Sequence, residues 1–369
     1  MKSFLRLVLV LVSCTALIAA FMLIRARYLP EVDVPILLYE RVSGISKDKY
    51  TVPTELFYQQ LRDMVERDYK TVTPFQLRAY KTWGIPLPQK PFMITFDFGY
   101  QDLLSTVSPI LEELDLCAVI NLATTYIAET SNQRRNFNGE QMLTWNEIRE
   151  ARRKGIFYFG GHTRNLVNLL NHERPFNEIR ASRTDIRKAT GLNSKVFSYP
   201  FGAYSPAIMK AAKDAKIQLA MTYGDKVAKI GPHTDFLCLP RIRVVGGQHG
   251  FSAKAFTPYS PLDKKYVAVS HPVGPAFPAV VRLYESGLDE DGRQIRISEI
   301  KVDEFSEHIV EIPLPENFEY PLIVDITDET SVLLYFSVSI PKSAVERYGK
   351  PERPNATQSF DYEAQIDAL

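Results

Sequence analysis

The chain has 369 residues, 45% of them hydrophobic and 24% charged, with a formal net charge of +1. That composition belongs to a globular protein of two domains, or of one large domain with an appendage, and a near-neutral chain offers no counterion surface for nucleic acid. Three cysteines, Cys14, Cys117 and Cys238, do not make a disulfide framework; Cys14 lies in an apolar N-terminal run, and Cys117 and Cys238, in strand-like segments, read as buried free thiols.

Lys2 and Arg6 precede an uncharged run, Leu7 to Ile24, which Arg25 and Arg27 close. Its eighteen residues reach the lower limit for a membrane span. Three readings compete: an uncleaved signal anchor over 1–30, a cleaved signal peptide ending near Ala19-Ala20, or a lipobox at Leu11-Val12-Ser13-Cys14. Ten apolar residues after Cys14 argue against the lipobox, and the anchor is preferred. All three export the remainder.

The first strand expected is Val34 to Tyr39, after a linker over Glu31 to Pro35. Thr54 is a helix N-cap, with Phe57, Leu61 and Met64 along one face. A short strand over Lys70 to Val72 and a helix over Pro74 to Trp83 follow. Pro91 to Phe96 is an apolar run that reads as a buried strand ending at Asp97, with a turn at Gly99 and a helix from Gln101 to Glu113. Leu116 to Ala123 is the next strand and Tyr126 to Gly139 a surface loop. Thr144 caps a helix to Lys154 that Gly155 ends. Ile156 to Phe159 leads into Gly160-Gly161-His162-Thr163, followed by a helix over Phe176 to Ala189. Lys195–Tyr199, Gln218–Thr222 and Leu237–Val244 are strands, with a helix over Pro206 to Ala215. This alternation predicts a parallel barrel or a doubly wound sheet, and an acidic residue at the C-terminal end of such a strand is where α/β folds place their chemistry.

Beyond Tyr259-Ser260-Pro261 short segments alternate with turn signals: Tyr266–Ser270, Ala279–Tyr284, Arg293–Ile300, His308–Ile312, Pro321–Ile326 and Val332–Ile340. Period-two patterning in the last of these predicts a small β-sandwich over 262–345, with a disordered tail over 346–369.

Met93-Ile94-Thr95-Phe96-Asp97-Phe98-Gly99-Tyr100 resembles T-F-D-D-G-Y, the first motif of the polysaccharide deacetylases (the NodB homology domain, carbohydrate esterase family 4). Four further stretches, in the family's order, resemble its other motifs. Val34 to Val42 is similar to V-P-I-L-x-Y-H, with Glu40 at the histidine. Gly161 to Val167 is similar to S-H-T-x-x-H or H-T-x-x-L-H. Phe197 to Tyr204 is similar to F-x-Y-P-x-G, and Leu239 to Val244 to L-P-R-I. The resemblance covers about Val34 to Ser252 and implies an irregular (β/α) barrel, placed at 31–258. Asp97-Phe98-Gly99 also spells the kinase D-F-G, but no glycine-rich loop or H-R-D accompanies it.

The resemblance implies roles. Asp97 stands at the base and Arg241 at the residue that orients it. Glu40 replaces the acid, and Tyr199, Pro200, Phe201 and Gly202 lie in the loop that lines the sugar groove. Of the metal triad only His162 survives, because Phe98 takes the second Asp position and Leu166 or Val167 that of the second His. Tyr199, Phe201, Tyr204, Trp145 and Tyr100 could form a sugar-stacking floor, or ordinary core and rim.

Three functions follow. The first is an exported, membrane-anchored pseudoenzyme, on the periplasmic or extracellular side of a bacterial cell, that binds an amino-sugar glycan or assists a partner in polysaccharide biosynthesis. The second is a deacetylase with a metal site rebuilt from Glu40, Asp97 and His162. The third is a scaffold whose β-domain binds a protein partner. No cofactor is expected in the first; zinc or another divalent metal is expected only in the second.

Overall fold

In the computed structural model the described residues are 12–13, 27–44, 50–224 and 226–244, then 252–257, 266–270, 279–288, 294–302, 309–315, 317–327, 334–340, 342 and 346–347. The chain divides into two compact units, Met1–Gly246 and Gly247–Leu369. Among the described residues no helix is long and apolar enough to cross a membrane. The uncharged run 7–24 lies outside them except for Val12 and Ser13, and so does the expected tail except for Glu346 and Arg347.

The first unit is built on one parallel sheet. Its strands are β2 (Ile36–Tyr39), β5 (Lys70–Thr71), β6 (Pro91–Phe98), β7 (Ala118–Leu122), β10 (Phe157–Gly161), β11 (Val196–Ser198), β12 (Leu219–Met221) and β14 (Ile242–Arg243). They lie in the order β12-β11-β10-β7-β6-β2-β14, with β5 paired to β6. Leu239 bridges Met221 in parallel while Ile242 and Arg243 pair with Leu37 and Leu38, so one segment touches both edges and curls the sheet on itself. The central strands β6 and β7 are buried almost throughout and mostly apolar because both faces are covered. Their helices are α1 (Thr54–Glu66), α2 (Pro74–Trp83), α3 (Ser108–Glu113), α4 (Trp145–Lys154), α5 (Pro175–Thr190) and α6 (Pro206–Asp214).

Thr73 and Thr144 each form a capping box, with Gln76 and Glu147, while Gly84, Gly155 and Gly191 end α2, α4 and α5 in the left-handed region. Thr54, expected as an N-cap, is already helical; the cap is Pro53. The single helix expected from Gln101 to Glu113 is instead a π-helical turn, Leu103–Val107, followed by α3. Pro109 has no N–H to give and its ring crowds the preceding turn, so the chain widens there. The loop 126–139 is more regular than expected: Asn136–Phe137 and Glu140–Gln141 form a hairpin across Asn138-Gly139, both at positive φ. Cys117 and Cys238 are half-buried rather than buried.

Gly99 sits at φ +95°, and a Cβ on it would lie 2.7 Å from Leu122 Cδ2. Gly99→Ala combines a disfavoured backbone with a core overlap and is expected to destabilise the chain by about 1–3 kcal/mol in denaturant titration. A loss below that range would mean the turn relaxes freely.

Among the described residues the second unit holds two four-stranded sheets. One has the order Ile309–Pro313, Tyr266–Ser270, Ser252–Thr257, Glu346–Arg347; the other has Gln294–Val302, Ala279–Leu288, Leu322–Thr327, Leu334–Ile340. Leu322, Val324 and Ile326 are buried and alternate with half-buried neighbours, the signature of a strand with one covered face. The boundary expected between 258 and 262 falls earlier, because Ser252–Thr257 pairs antiparallel with Tyr266–Ser270. Residues Glu346 and Arg347, expected in the tail, pair with Phe256 and Thr257.

Candidate functional site

Asp97, one residue before the end of β6, is 1% exposed, and Arg241, just before β14, is 0% exposed. The guanidinium grips the carboxylate with two bonds, Nη1 to Oδ1 at 2.9 Å and Nη2 to Oδ2 at 2.8 Å. Asn121 Nδ2 donates to Oδ1 at 2.9 Å and Ser198 Oγ to Oδ2 at 3.0 Å. Arg241 spends its other N–H groups on Thr95 Oγ1, Ser198 Oγ and the Thr222 carbonyl. All five donors of the guanidinium are thereby used, and so are all four acceptor sites of the carboxylate. Burial by itself would push the Asp97 carboxyl up; the charge of Arg241, then His162 and the hydrogen bonds from Arg241 and Asn121, outweigh it and hold the pKa down at about 2. The result is a sealed ion pair with no lone pair left for a water.

His162 follows β10 and is 0% exposed. The two glycines before it are there because a Cβ on Gly160 would strike the Asn121 side chain, and one on Gly161 would lie 2.6 Å from Ser182 Oγ. His162 Nδ1 lies 3.0 Å from the Ser198 carbonyl and 4.0 Å from Asp97 Oδ2. A carbonyl can only accept, so Nδ1 carries the proton and Nε2 is a bare lone pair. Nε2 is buried with no hydrogen-bond partner. Burial lowers the imidazole pKa, against the pull of Asp97, so folding favours the neutral ring over the charged one.

Phe98 stands edge-on to that ring, centroids 5.2 Å apart at 81°. Phe137, carried in by the Asn138-Gly139 hairpin, stacks on Phe98 at 5.5 Å; Tyr100 and Tyr126 complete the cluster. Phe98 is held at φ +72°, a region Asn, Asp and Gly occupy readily and an aromatic residue does not. Thr163, Leu166 and Phe201, after β10 and β11, also have positive φ, as do Asp68, Asp115 and Lys216 on the helix-to-strand turns at the other end. What sets Phe98 apart is a bulky aromatic side chain held in that region at the end of β6, backbone strain of the kind found at functional sites.

His162 titrates with a definite sign. Its folded pKa lies below the unfolded value of about 6.5, so its contribution to stability is complete above that pH and declines as pH falls below it. His162→Gln should flatten this limb: the difference in denaturant midpoint between wild type and variant shrinks from about pH 7 to about pH 5.5. A constant difference would show that the imidazole is charged when folded.

The structure brings Asp97, Arg241 and His162 together. It does not join Glu40 to them as a metal site: among the described residues no group of three or more His, Cys, Asp or Glu side chains could hold a metal. Glu40 is half-buried, and its charge acts on Tyr223, whose hydroxyl burial, then Asp97 and then Glu40 push up. The family's metal, as the resemblance would place it, does not fit the residues present: Phe98 and either Leu166 or Val167 take its ligand positions, and one imidazole cannot hold zinc. In the third motif Tyr199 and Pro200, expected in the loop that lines the sugar groove, are buried; Tyr199 donates to the Leu237 carbonyl at 2.9 Å. Gly202 packs against Tyr223 at φ +65°, where any Cβ would meet the ring. Phe201 and Tyr204 are 49% and 41% exposed, so the rim is theirs; Trp145 and Tyr100 are core. Sequence reasoning missed Asn121, Ser198, Phe137 and Tyr223; a lone Asn in the apolar strand Ala118–Leu122 and the Asn-Gly turn were the available signals.

Residues 84–220 match the polysaccharide deacetylase family. YxkH of Bacillus subtilis (strain 168) is 25% identical over 225 residues, 60% of this chain and 75% of that protein. The poly-beta-1,6-N-acetyl-D-glucosamine N-deacetylase of Staphylococcus aureus is 22% identical over 205 residues, 53% of this chain and 68% of that protein. In fold, the chain is similar to the Streptococcus pyogenes deacetylase PplD in complex with acetate, with a TM-score of 0.52, 24% identity, and 60% of this chain and 95% of that one covered. Over residues 84–220 the chain thus carries a stretch that matches the polysaccharide deacetylase family, on a barrel that shares its fold with a solved deacetylase.

Proposed function

We propose that this is an exported, membrane-anchored member of the family that binds an N-acetylated amino-sugar glycan and does not hydrolyse it. The observation that carries the reading is Phe98, which puts a phenyl ring against the His162 imidazole where the family pattern has its second Asp. Without a metal, nothing in the motif set activates a water, and the Asp97 carboxylate has no acceptor site left to take its proton. The exposed rings of Phe201 and Tyr204 offer faces on which a sugar can stack. The relative from Staphylococcus aureus suggests the class of glycan, a β-1,6-linked N-acetylglucosamine polymer.

The test uses the detergent-solubilised full chain. Calorimetric titration with zinc, cobalt, nickel and manganese should show no one-to-one binding, and no acetate should be released from poly-β-1,6-N-acetylglucosamine, while the chain is retained on that polymer. Metal-dependent acetate release that disappears in Asp97→Asn would overturn the reading. Absence of any retention on N-acetylated glycans would remove its binding half.

A further inference from the structure

In a parallel (β/α) unit every helix ends, and every strand begins, on the face opposite the site. Here that face is unevenly charged. The helix ends of α4, α5 and α6 place Arg152, Arg153, Lys154, Arg187, Lys188 and Lys213 on it, all of them exposed. Acidic residues on the neighbouring turns, Glu112, Glu113, Asp115 and Asp214, offset part of this, and Lys154 pairs with Glu112 at 2.7 Å. A basic residue in a last helical turn is accounted for by the helix dipole, but three in succession at the end of α4 are more than the dipole needs. The whole chain carries a net charge of only +1, so the excess is local.

The same face holds the exposed apolar side chains Trp83, 44% exposed, and Ile85, 45% exposed, at the end of α2. It is also where the chain arrives. Tyr28 is 83% exposed; Tyr80, one turn before Trp83, donates to the Pro30 carbonyl at 2.6 Å, and Leu29 packs against the cluster that contains Leu77 and Tyr80. The uncharged run ends at Ile24, and the four steps to Tyr28 can span at most about 14 Å. Trp and Tyr favour the bilayer interface, and Lys and Arg favour anionic headgroups.

We infer that the face formed by the strand starts and helix ends lies flat on an anionic bilayer, with Trp83 and Ile85 in the headgroup layer, so that the Asp97–His162 end of the barrel points away from the membrane. The inference rests on the reading of 1–30 as an anchor and goes beyond it, because an anchor alone would leave the barrel free to tumble on its tether.

The chain carries its own reporter. It has two tryptophans: Trp83 on this face, and Trp145, at the first turn of α4, on the opposite one. The full chain is reconstituted into phosphatidylcholine–phosphatidylglycerol nanodiscs with phosphatidylcholine brominated high on its acyl chains. Wild type should lose much of its Trp83 emission, whereas Trp83→Phe, which keeps Trp145, should lose almost none. Replacing phosphatidylglycerol by phosphatidylcholine should reduce the quenching. Chain held by the discs without quenching of Trp83 overturns the orientation and leaves the anchor standing. Chain that the discs do not retain overturns both.

Discussion

Arg241→Met should cost about 3–5 kcal/mol near neutral pH, lowering the thermal midpoint by about 10 °C or more, even though a methionine fills much of the space. The cost comes from what is left behind. Asp97 would remain 1% exposed, ionised and without its counterion, supported only by Asn121 and Ser198. Thr95 and the Thr222 carbonyl would each lose the donor Arg241 supplies. The pH dependence distinguishes this from a simple packing loss. In wild type the Asp97 pKa is held at about 2, below the unfolded value of about 3.9, so its contribution is present above about pH 4 and is lost as pH falls towards 2. In the variant, burial without the guanidinium raises the folded pKa above the unfolded one, and the carboxyl can be buried neutral in acid. The two stability curves should therefore converge as pH falls. Arg241→Lys keeps the charge but not the fork, and recovers only part of the loss. A loss under about 1 kcal/mol in Arg241→Met, constant with pH, would mean that the pair is not the sealed unit its geometry describes.

How much of this was legible in the sequence differs from residue to residue, for physical reasons. Asp97 and Arg241 lie 144 positions apart, yet both were identifiable, since each belongs to a short motif whose backbone geometry the barrel requires. Asn121 and Ser198 contact the same carboxylate and were overlooked. One sits mid-strand among apolar residues and the other at a variable position of a motif, and nothing local says that their side chains converge. Tyr199 shows the opposite failure. The resemblance placed it in the loop that lines the sugar groove; it follows Ser198 at the site end of its strand, yet its ring is fully buried and its hydroxyl donates to the Leu237 carbonyl. The Asn138-Gly139 hairpin was passed over because its strands are only two residues each, too short to alternate. It is nonetheless what brings Phe137 onto Phe98 and makes the ring beside His162 part of an aromatic cluster. The boundary near 246 was missed because Ser252–Thr257 reads as a strand of either unit; only its pairing with Tyr266–Ser270 assigns it.

Phe98→Asp combined with Leu166→His should bind zinc far more tightly than wild type, with a Kd at or below about 1 μM, equivalent to about −8 kcal/mol. Three conditions are already met. His162 Nδ1 is pinned to the Ser198 carbonyl, so Nε2 is the bare nitrogen, buried without a hydrogen-bond partner. Position 98 has φ +72°, which Asp adopts more readily than Phe, so the first substitution relieves backbone strain as it adds a ligand. Position 166 is fixed as well: Glu178 accepts from the backbone N–H groups of Arg164 and Asn165 at 3.1 and 2.9 Å, and Asp185 grips the Arg164 guanidinium. With a carboxylate and two imidazoles the set reaches the three protein ligands a zinc site of this kind needs. Affinity should fall as pH drops through the range where the imidazoles protonate, because only the neutral ring binds. Each single variant should bind far more weakly, having two ligands at most. Calorimetric titration of the double variant decides the matter. Tight binding would mean that the chain lost its ligands and kept the scaffold that held them. Binding no better than wild type would mean that the loop anchored by Glu178 and Asp185 now holds residue 166 out of reach, and that the backbone as well as the side chains has left the metal behind.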